Sequence, residues 1–441
     1  MRDDRGLPFE VSHWGILRIA LPMMLAHLST PLVGLVATGV VGQMGDAALI
    51  GGVALASVIF DVVFVSCNFL RGATTGFTAQ AVGAGDRTEE QSMLLGAFGI
   101  AVTVGLTLVL MRGPIGFLGL DVLAASGPVA EAAGGYFAVR IWSAPFVLFN
   151  YVAFGWILGR GEAFLGLMLQ TLLNGLGIIL SLWWVLHLGW GVQGAALASV
   201  IAEAITAITG LGLVITRTSA AHWNLSEIWS TRRLHRLVAV NSDMMVRSLA
   251  LLLGISFFTR QSAAMGIDVL AANTILLRFY SVAISFLDGM ATAAEQLAGR
   301  AIGARYRPAF DRMVRLTTGW GIGLAVAVSI TIALTGGWVI DWMAPSTAVK
   351  RLAHACLPWA SVLPLAGAVA FQMDGIFIGA TWSREMRNMM LLSLGIYLAA
   401  WAVLAPAFGN QGLWMSFLIF LGARSIAFRL WMRRLVPRTF P

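Results

Sequence analysis

Apolar residues run in stretches of about 20 along nearly the whole chain, separated by short polar connectors, and that is the length a helix needs to cross a hydrocarbon core. The pattern divides into about twelve such spans. The first six cover roughly 14–42, 47–72, 92–112, 130–156, 164–187 and 191–216, and the second six roughly 236–260, 268–298, 314–340, 352–380, 389–407 and 411–432. The prediction is an all-α polytopic membrane protein built as an N-terminal lobe (1–216), a polar linker (217–235) and a C-terminal lobe (236–441). Trp223, Trp229 and His235 punctuate the linker, and Leu225–Trp229 could lie as a short amphipathic piece on the membrane surface.

Composition agrees with the pattern. Hydrophobic residues make up 58% of the 441 and charged residues only 11%, against about 25% charged in soluble domains. In so apolar a chain the formal charge of +8 reads as a topology signal and a contact with membrane lipid, and no nucleic-acid partner is expected. Basic residues collect on alternate connectors, at Arg87, Arg160, Arg217, Arg232, Arg233, Arg305, Arg307, Arg384 and Arg387, on the side that also holds both termini. The other side has Arg112, Arg260 and the Lys350-Arg351 pair. The positive-inside bias therefore places both termini in the cytoplasm, which an even number of spans requires. The N-terminal apolar run is too long for a removable signal peptide and reads as the first span. Cys67 and Cys356 lie in apolar surroundings with no ligand spacing, so neither a disulfide nor a metal site is expected.

The two lobes repeat each other at an offset of roughly 220 residues. Ala79–Gly85 matches Gly299–Arg305, Pro145 matches Pro364, Gly155–Gly159 (GWILG) matches Gly375–Gly379 (GIFIG), and Gln193-Gly194 matches Gln411-Gly412. A six-span repeat has the same orientation in both halves, which suits alternating access between two pseudo-symmetric lobes. Glycine-rich pieces sit inside apolar helices with no strand before them, and no catalytic constellation is present, so neither ATP drive nor an enzyme is expected.

Carboxylates within the spans are the candidates for chemistry, since each costs about 2.5–3.5 kcal/mol at bilayer depth and needs a partner, a wet cavity or a task. Asp374 lies in FQMDGIFIGATWSREMRN, between Pro358 and Pro364 upstream and Arg384 and Arg387 downstream, and its counterpart in the first repeat is Phe154. Asp288 and Glu295 are two turns apart on one face of the eighth span, with Ser281 on neighbouring turns. Asp243 reads as an i,i+4 partner of Arg247. In the first half, Asp61 and Glu203 are the buried-depth acids, with Arg71, Arg140 and Asn150 as candidate partners of Asp61, while Arg278 could serve Asp288 or Asp374. An acid facing a cavity can be protonated from one side, release a cation, and regain affinity when the proton leaves on the other. The methionines and phenylalanines would suit an adaptable chamber, and Trp14, Trp183, Trp184, Trp190, Trp338 and Trp342 fall at span ends as an interfacial belt.

Pro22 within LRIALP, Leu28–Leu32 (LSTPL), Gly72–Gly76 (GATTG), Gly155–Gly161 (GWILGRG), Gly189–Ala195 (GWGVQGA) and Asp374–Asn388 together resemble the multidrug and toxic compound extrusion (MATE) family, in particular its DNA-damage-inducible protein F (DinF) branch. The resemblance implies a monomeric inner-membrane antiporter that uses no cofactor and expels cationic or amphiphilic small molecules against a proton or sodium gradient. Ala37 stands where the family carries an aspartate in the first span, and Gly177 and Ser181 stand where it carries N-x-x-x-D in the fifth. Asn150 and Asn174 remain but cannot titrate, which moves expected coupling to the C-terminal lobe. The candidate coupling and substrate-binding set is therefore Asp374, Asp288, Glu295, Asp61, Asn150 and Asn174. A lipid-linked precursor flippase, with a groove lined by several arginines, and an uncoupled membrane binding protein are the alternatives.

Overall fold

The structure, a computed structural model, describes residues 8–42, 47–123, 126–218, 231–344 and 346–440, apart from the side chains of 30–35, 37–39, 41–42, 47 and 231–236. Ala37 and most of the 217–235 linker, with its tryptophans and His235, lie outside these described residues and side chains. Among them every regular element is a helix. Ten helical segments are long and apolar enough to cross a membrane. One of these, Ser383–Thr439, holds two spans because Gly409 breaks it with φ 55° and ψ −128°. The 30-residue helix α1 (His13–Gly42), whose one Lys, Arg, Asp or Glu is Arg18, is apolar enough to add the twelfth.

The chain separates into two compact units, Leu25–Ala239 and Met1–Met24 with Val240–Pro441. In the first, the second span is two helices, α2 (Ala47–Cys67) and α3 (Phe69–Ala84), divided at Asn68. The third is α4 (Arg87–Leu110), followed by a short helix α5 (Arg112–Val122) that hydropathy alone did not predict. The fourth is α6 (Gly127–Arg140), a 3-10 turn and α7 (Ala144–Gly159), where Pro145 occupies a first-turn position that needs no N–H. Helix α8 (Ala163–Leu182) ends in a π-helical turn, Trp183–His187, before α9 (Gly191–Arg217). The second unit has longer, less interrupted helices: α10 (Thr231–Ala264), α11 (Ile267–Gly303), α12 (Arg307–Met343), α13 (Thr347–Gly379) and α14 (Ser383–Thr439). Polar caps mark the starts where the chain leaves the apolar zone: Asp86 accepts from Glu89 N at 2.9 Å and Ser346 from Val349 N at 3.2 Å.

The repeat is written in the backbone. Left-handed φ occurs at Gly85 (68°) and Arg305 (52°), at Gly161 (78°) and Thr381 (55°), and at Gly189 (66°) and Gly409 (55°). Each pair is separated by 220 residues (305 − 85, 381 − 161, 409 − 189). The turns that end equivalent helices are thus the same turns, with Arg305 and Thr381 accepting a conformation that glycine adopts at lower cost. The same offset governs helix packing. A Cβ on Gly155 would lie 2.5 Å from the Arg71 carbonyl oxygen and one on Gly159 2.8 Å from that of Thr75, while Gly375 and Gly379 abut the carbonyl oxygens of Ala291 and Glu295. Small residues one turn apart let two helix backbones touch, the form of association membrane bundles favour.

The core of the second unit is aromatic, with Phe258 on Trp414 at 4.8 Å and Tyr397 on Phe420 at 5.4 Å between ring centres. At its edge, Asn273 binds Asn410 reciprocally (2.7 and 3.0 Å), accepts from Trp414 Nε1 at 2.9 Å, and donates to Ser262 Oγ at 2.7 Å. This network ties α10 and α11 to the residue after the Gly409 break. Asn273→Leu should lower the thermal unfolding midpoint of purified protein, because it orphans buried groups at about 1–3 kcal/mol each, more than the ~0.6 kcal/mol average for one interhelical bond in a membrane. An unchanged midpoint would show that the network is not structural. The span-end tryptophans Trp14, Trp183, Trp190, Trp338 and Trp342 are exposed, as an interfacial belt requires, and Trp184 stacks on Trp190.

Candidate functional site

Asp374 sits on α13 immediately before the Gly375 contact, so the helix-to-helix approach to α11 fixes its place in the bundle interior. Two arginines meet it. Arg247 Nη2 on α10 lies 3.1 Å from Asp374 Oδ2, and Arg424 Nη2 on the last span makes a second ion pair with the same oxygen. The Arg424 side chain is 1% exposed and that of Asp374 8%. Rings of Phe371 and Phe428 flank the Arg424 guanidinium at 5.6 and 5.9 Å, a cation–π contact that helps hold a charge away from water. Asp374 Oδ1, Arg247 Nε and Arg424 Nη1 are buried without a hydrogen-bond partner.

Asp288, half-buried, and Glu295, buried, face this centre from α11. Both interact electrostatically with Arg247, and Asp288 also with Arg424. The expected trio of Asp374, Asp288 and Glu295 is therefore brought together around two guanidiniums. Arg278 is not the partner; Arg247 and Arg424 are. The Asp243–Arg247 helix pair also gives way: Asp243 instead accepts from Arg387 Nη1 at 2.5 Å and Ser383 Oγ at 3.1 Å at the start of α14. An i,i+4 pair is worth about 0.3–0.5 kcal/mol, whereas an unpaired buried carboxylate costs several, so Arg247 turns inward to Asp374.

In the N-terminal unit the expected set does not converge. Asp61 is exposed on α2, and two of its three expected partners, Asn150 and Arg140, serve Glu203 instead, while Arg71 bonds to Asn68. Asn150 Nδ2 donates to Glu203 Oε2 at 2.7 Å, and Arg140 stands 3.9 Å from Glu203 Oε1 while donating to Ser143 Oγ at 2.5 Å. Asn174 belongs elsewhere, donating to Ser29 Oγ at 2.7 Å and accepting from Gln170 at 3.1 Å. Gly177 and Ser181 are buried on the same helix. At the helix ends, Arg160 joins Glu90 (2.8 Å) and Glu162 (3.2 Å), Trp156 Nε1 donates to Glu90 at 2.8 Å, and Arg217 pairs with Glu162. Among the described residues no group of three metal-ligating side chains is present. Sequence reading passed over Arg424, although an arginine inside SFLIFLGARSIAF is the kind of intramembrane charge that marks a site.

The MatE family model matches residues 22–183 and 244–403, one match in each repeat. DNA damage-inducible protein F of Escherichia coli is 35% identical over 94% of this chain and 91% of its own length. The probable multidrug resistance protein NorM of Bradyrhizobium diazoefficiens is 26% identical over 95% and 94%. Among solved structures, a MOP superfamily transporter from Pyrococcus furiosus superposes with a TM-score of 0.89 at 20% identity, covering 99% of this chain and 98% of that one. With twelve apolar spans, a repeat carried in backbone and packing, and both halves matched, the chain belongs to the MatE family of integral membrane transporters.

Proposed function

We propose that this protein is a secondary active exporter, moving cationic or amphiphilic small molecules outward across the bacterial inner membrane in exchange for protons by alternating access. The observation that carries the reading is the set of carboxylates inside the C-terminal unit: Asp374 pairs with Arg247 and Arg424, and Asp288 and Glu295 interact electrostatically with Arg247. An ionised carboxylate of this set attracts a cation, and its protonation releases that cation. Protons suit this centre better than sodium, because a metal ion would have to displace two guanidiniums from Asp374 Oδ2, while a proton has only to reach the unbonded Oδ1. The multidrug-resistance name of the NorM relative points the same way. Twelve spans and the skew of basic residues support cytoplasmic termini, and each unit's own core supports a monomer.

In proteoliposomes, an imposed pH gradient should drive accumulation of tetraphenylphosphonium, a protonophore should abolish it, and an equal sodium gradient should not replace it. Absence of any gradient-dependent movement of cations would remove the exporter reading.

A further inference from the structure

The 220-residue register places His27 at the position of Arg247, Phe154 at that of Asp374 and Arg71 at that of Ala291. The C-terminal unit thus opposes its buried cations with a built-in carboxylate, and the N-terminal unit carries a phenylalanine where that carboxylate would be. Its cations remain. Arg71 Nη1 and His27 Nε2 are both buried without a hydrogen-bond partner, and the two side chains interact electrostatically. Arg71 gives one bond, from Nε to Asn68 Oδ1 at 3.2 Å, to a neutral amide. Glu203 is engaged by Asn150 and Arg140, and Asp61 lies exposed on the Arg140 side, so neither neutralises Arg71. The Arg71 backbone is held where Gly155 lets α7 touch α3, which makes its position rigid.

We propose that Arg71 and His27 form an anion site in the N-terminal unit that accepts the carboxylate or phosphate group of an amphiphile, in the role that Asp374 plays as an internal anion in the other unit. An arginine fork binds such a group through paired charge-assisted hydrogen bonds. Substrates of the protein then include anionic and zwitterionic amphiphiles as well as cations. This inference is independent of proton coupling at Asp374 and can fail without it.

The test is equilibrium binding of radiolabelled octyl phosphate, with octyltrimethylammonium as the opposite-charge control, to the full-length protein in phosphatidylcholine nanodiscs, corrected for empty discs. Arg71→Gln should weaken octyl phosphate about 10-fold or more and leave octyltrimethylammonium unchanged. Phe154→Asp, which supplies an internal carboxylate in the register of Asp374, should likewise exclude the phosphate. His27→Gln serves as the second probe where Arg71→Gln does not fold. Competition by phosphatidylglycerol in the disc would assign the site to a lipid headgroup, and its absence to a soluble anion; both outcomes require Arg71 or His27. Octyl phosphate bound equally by wild type, Arg71→Gln, His27→Gln and Phe154→Asp, or not bound by wild type at all, overturns the proposal.

Discussion

Asp374→Asn should abolish proton-driven export and destabilise the protein by about 3–5 kcal/mol, the range found when one partner of a buried ion pair is removed. The size follows from the geometry. A single oxygen of Asp374 serves two guanidiniums, of which Arg424 is sealed among Phe371 and Phe428. The amide keeps the shape but leaves Arg247 and Arg424 without the carboxylate they share. Thermal unfolding in detergent and pH-driven uptake in liposomes separate the two effects. Adding Arg424→Gln to Asp374→Asn removes one uncompensated charge, so the double variant should regain part of the lost midpoint without regaining transport. A single variant that retains both transport and its pH dependence would show that coupling lies elsewhere.

Gly379→Ala and Gly375→Ala should each destabilise the fold by about 1–3 kcal/mol or more. The added methyl at either site would overlap a helix carbonyl oxygen, of Glu295 or Ala291, and backbone already bonded within its helix cannot move aside as a flexible side chain can. The pair is not expected to add simply, since both act on one α11–α13 contact. Gly155→Ala and Gly159→Ala, at the equivalent contact of the first repeat, should behave alike. Gly395→Ala and Gly422→Ala, where a Cβ meets nothing within 4 Å, are the controls and should be neutral or stabilising by up to ~1 kcal/mol. Equal melting temperatures for Gly379→Ala and Gly422→Ala would refute the close-approach reading.

The repeat was legible because it resides in residues whose constraints are local or one-sided. A glycine at a left-handed turn, as at Gly85 and Gly161, or a glycine pair one helical turn apart, as at Gly155 and Gly159, leaves its mark in sequence whatever surrounds it. The interruptions at Asn68 and at Ile141–Ser143 were not legible, because apolar character continues across them and hydropathy does not register where a helix axis breaks. Likewise α5 is too short for a span and too apolar to read as a connector.

The candidate site divides in the same way. Asp374, Asp288 and Glu295 stood out because a carboxylate inside an apolar run is costly wherever it points. Which cation answers it depends on the rotation of helices distant in sequence: Asp374 and Arg247 are 127 residues apart, yet their side chains meet at 3.1 Å. The reading of Asp243 with Arg247 followed helix periodicity, which holds for an isolated helix, and burial reversed it.

By itself, then, the sequence determined the membrane class, the span count, the 220-residue repeat and the family, since hydropathy, turn conformation and close backbone approach act through residue type and spacing. Only the tertiary structure decided that Asp374 is an anion shared by Arg247 and Arg424, that Glu203 and not Asp61 takes Arg140, and that Arg71 is left with a neutral partner. Ion pairing in a low-dielectric interior is settled by distance and desolvation among helices remote in the chain, and neither quantity is written in local sequence.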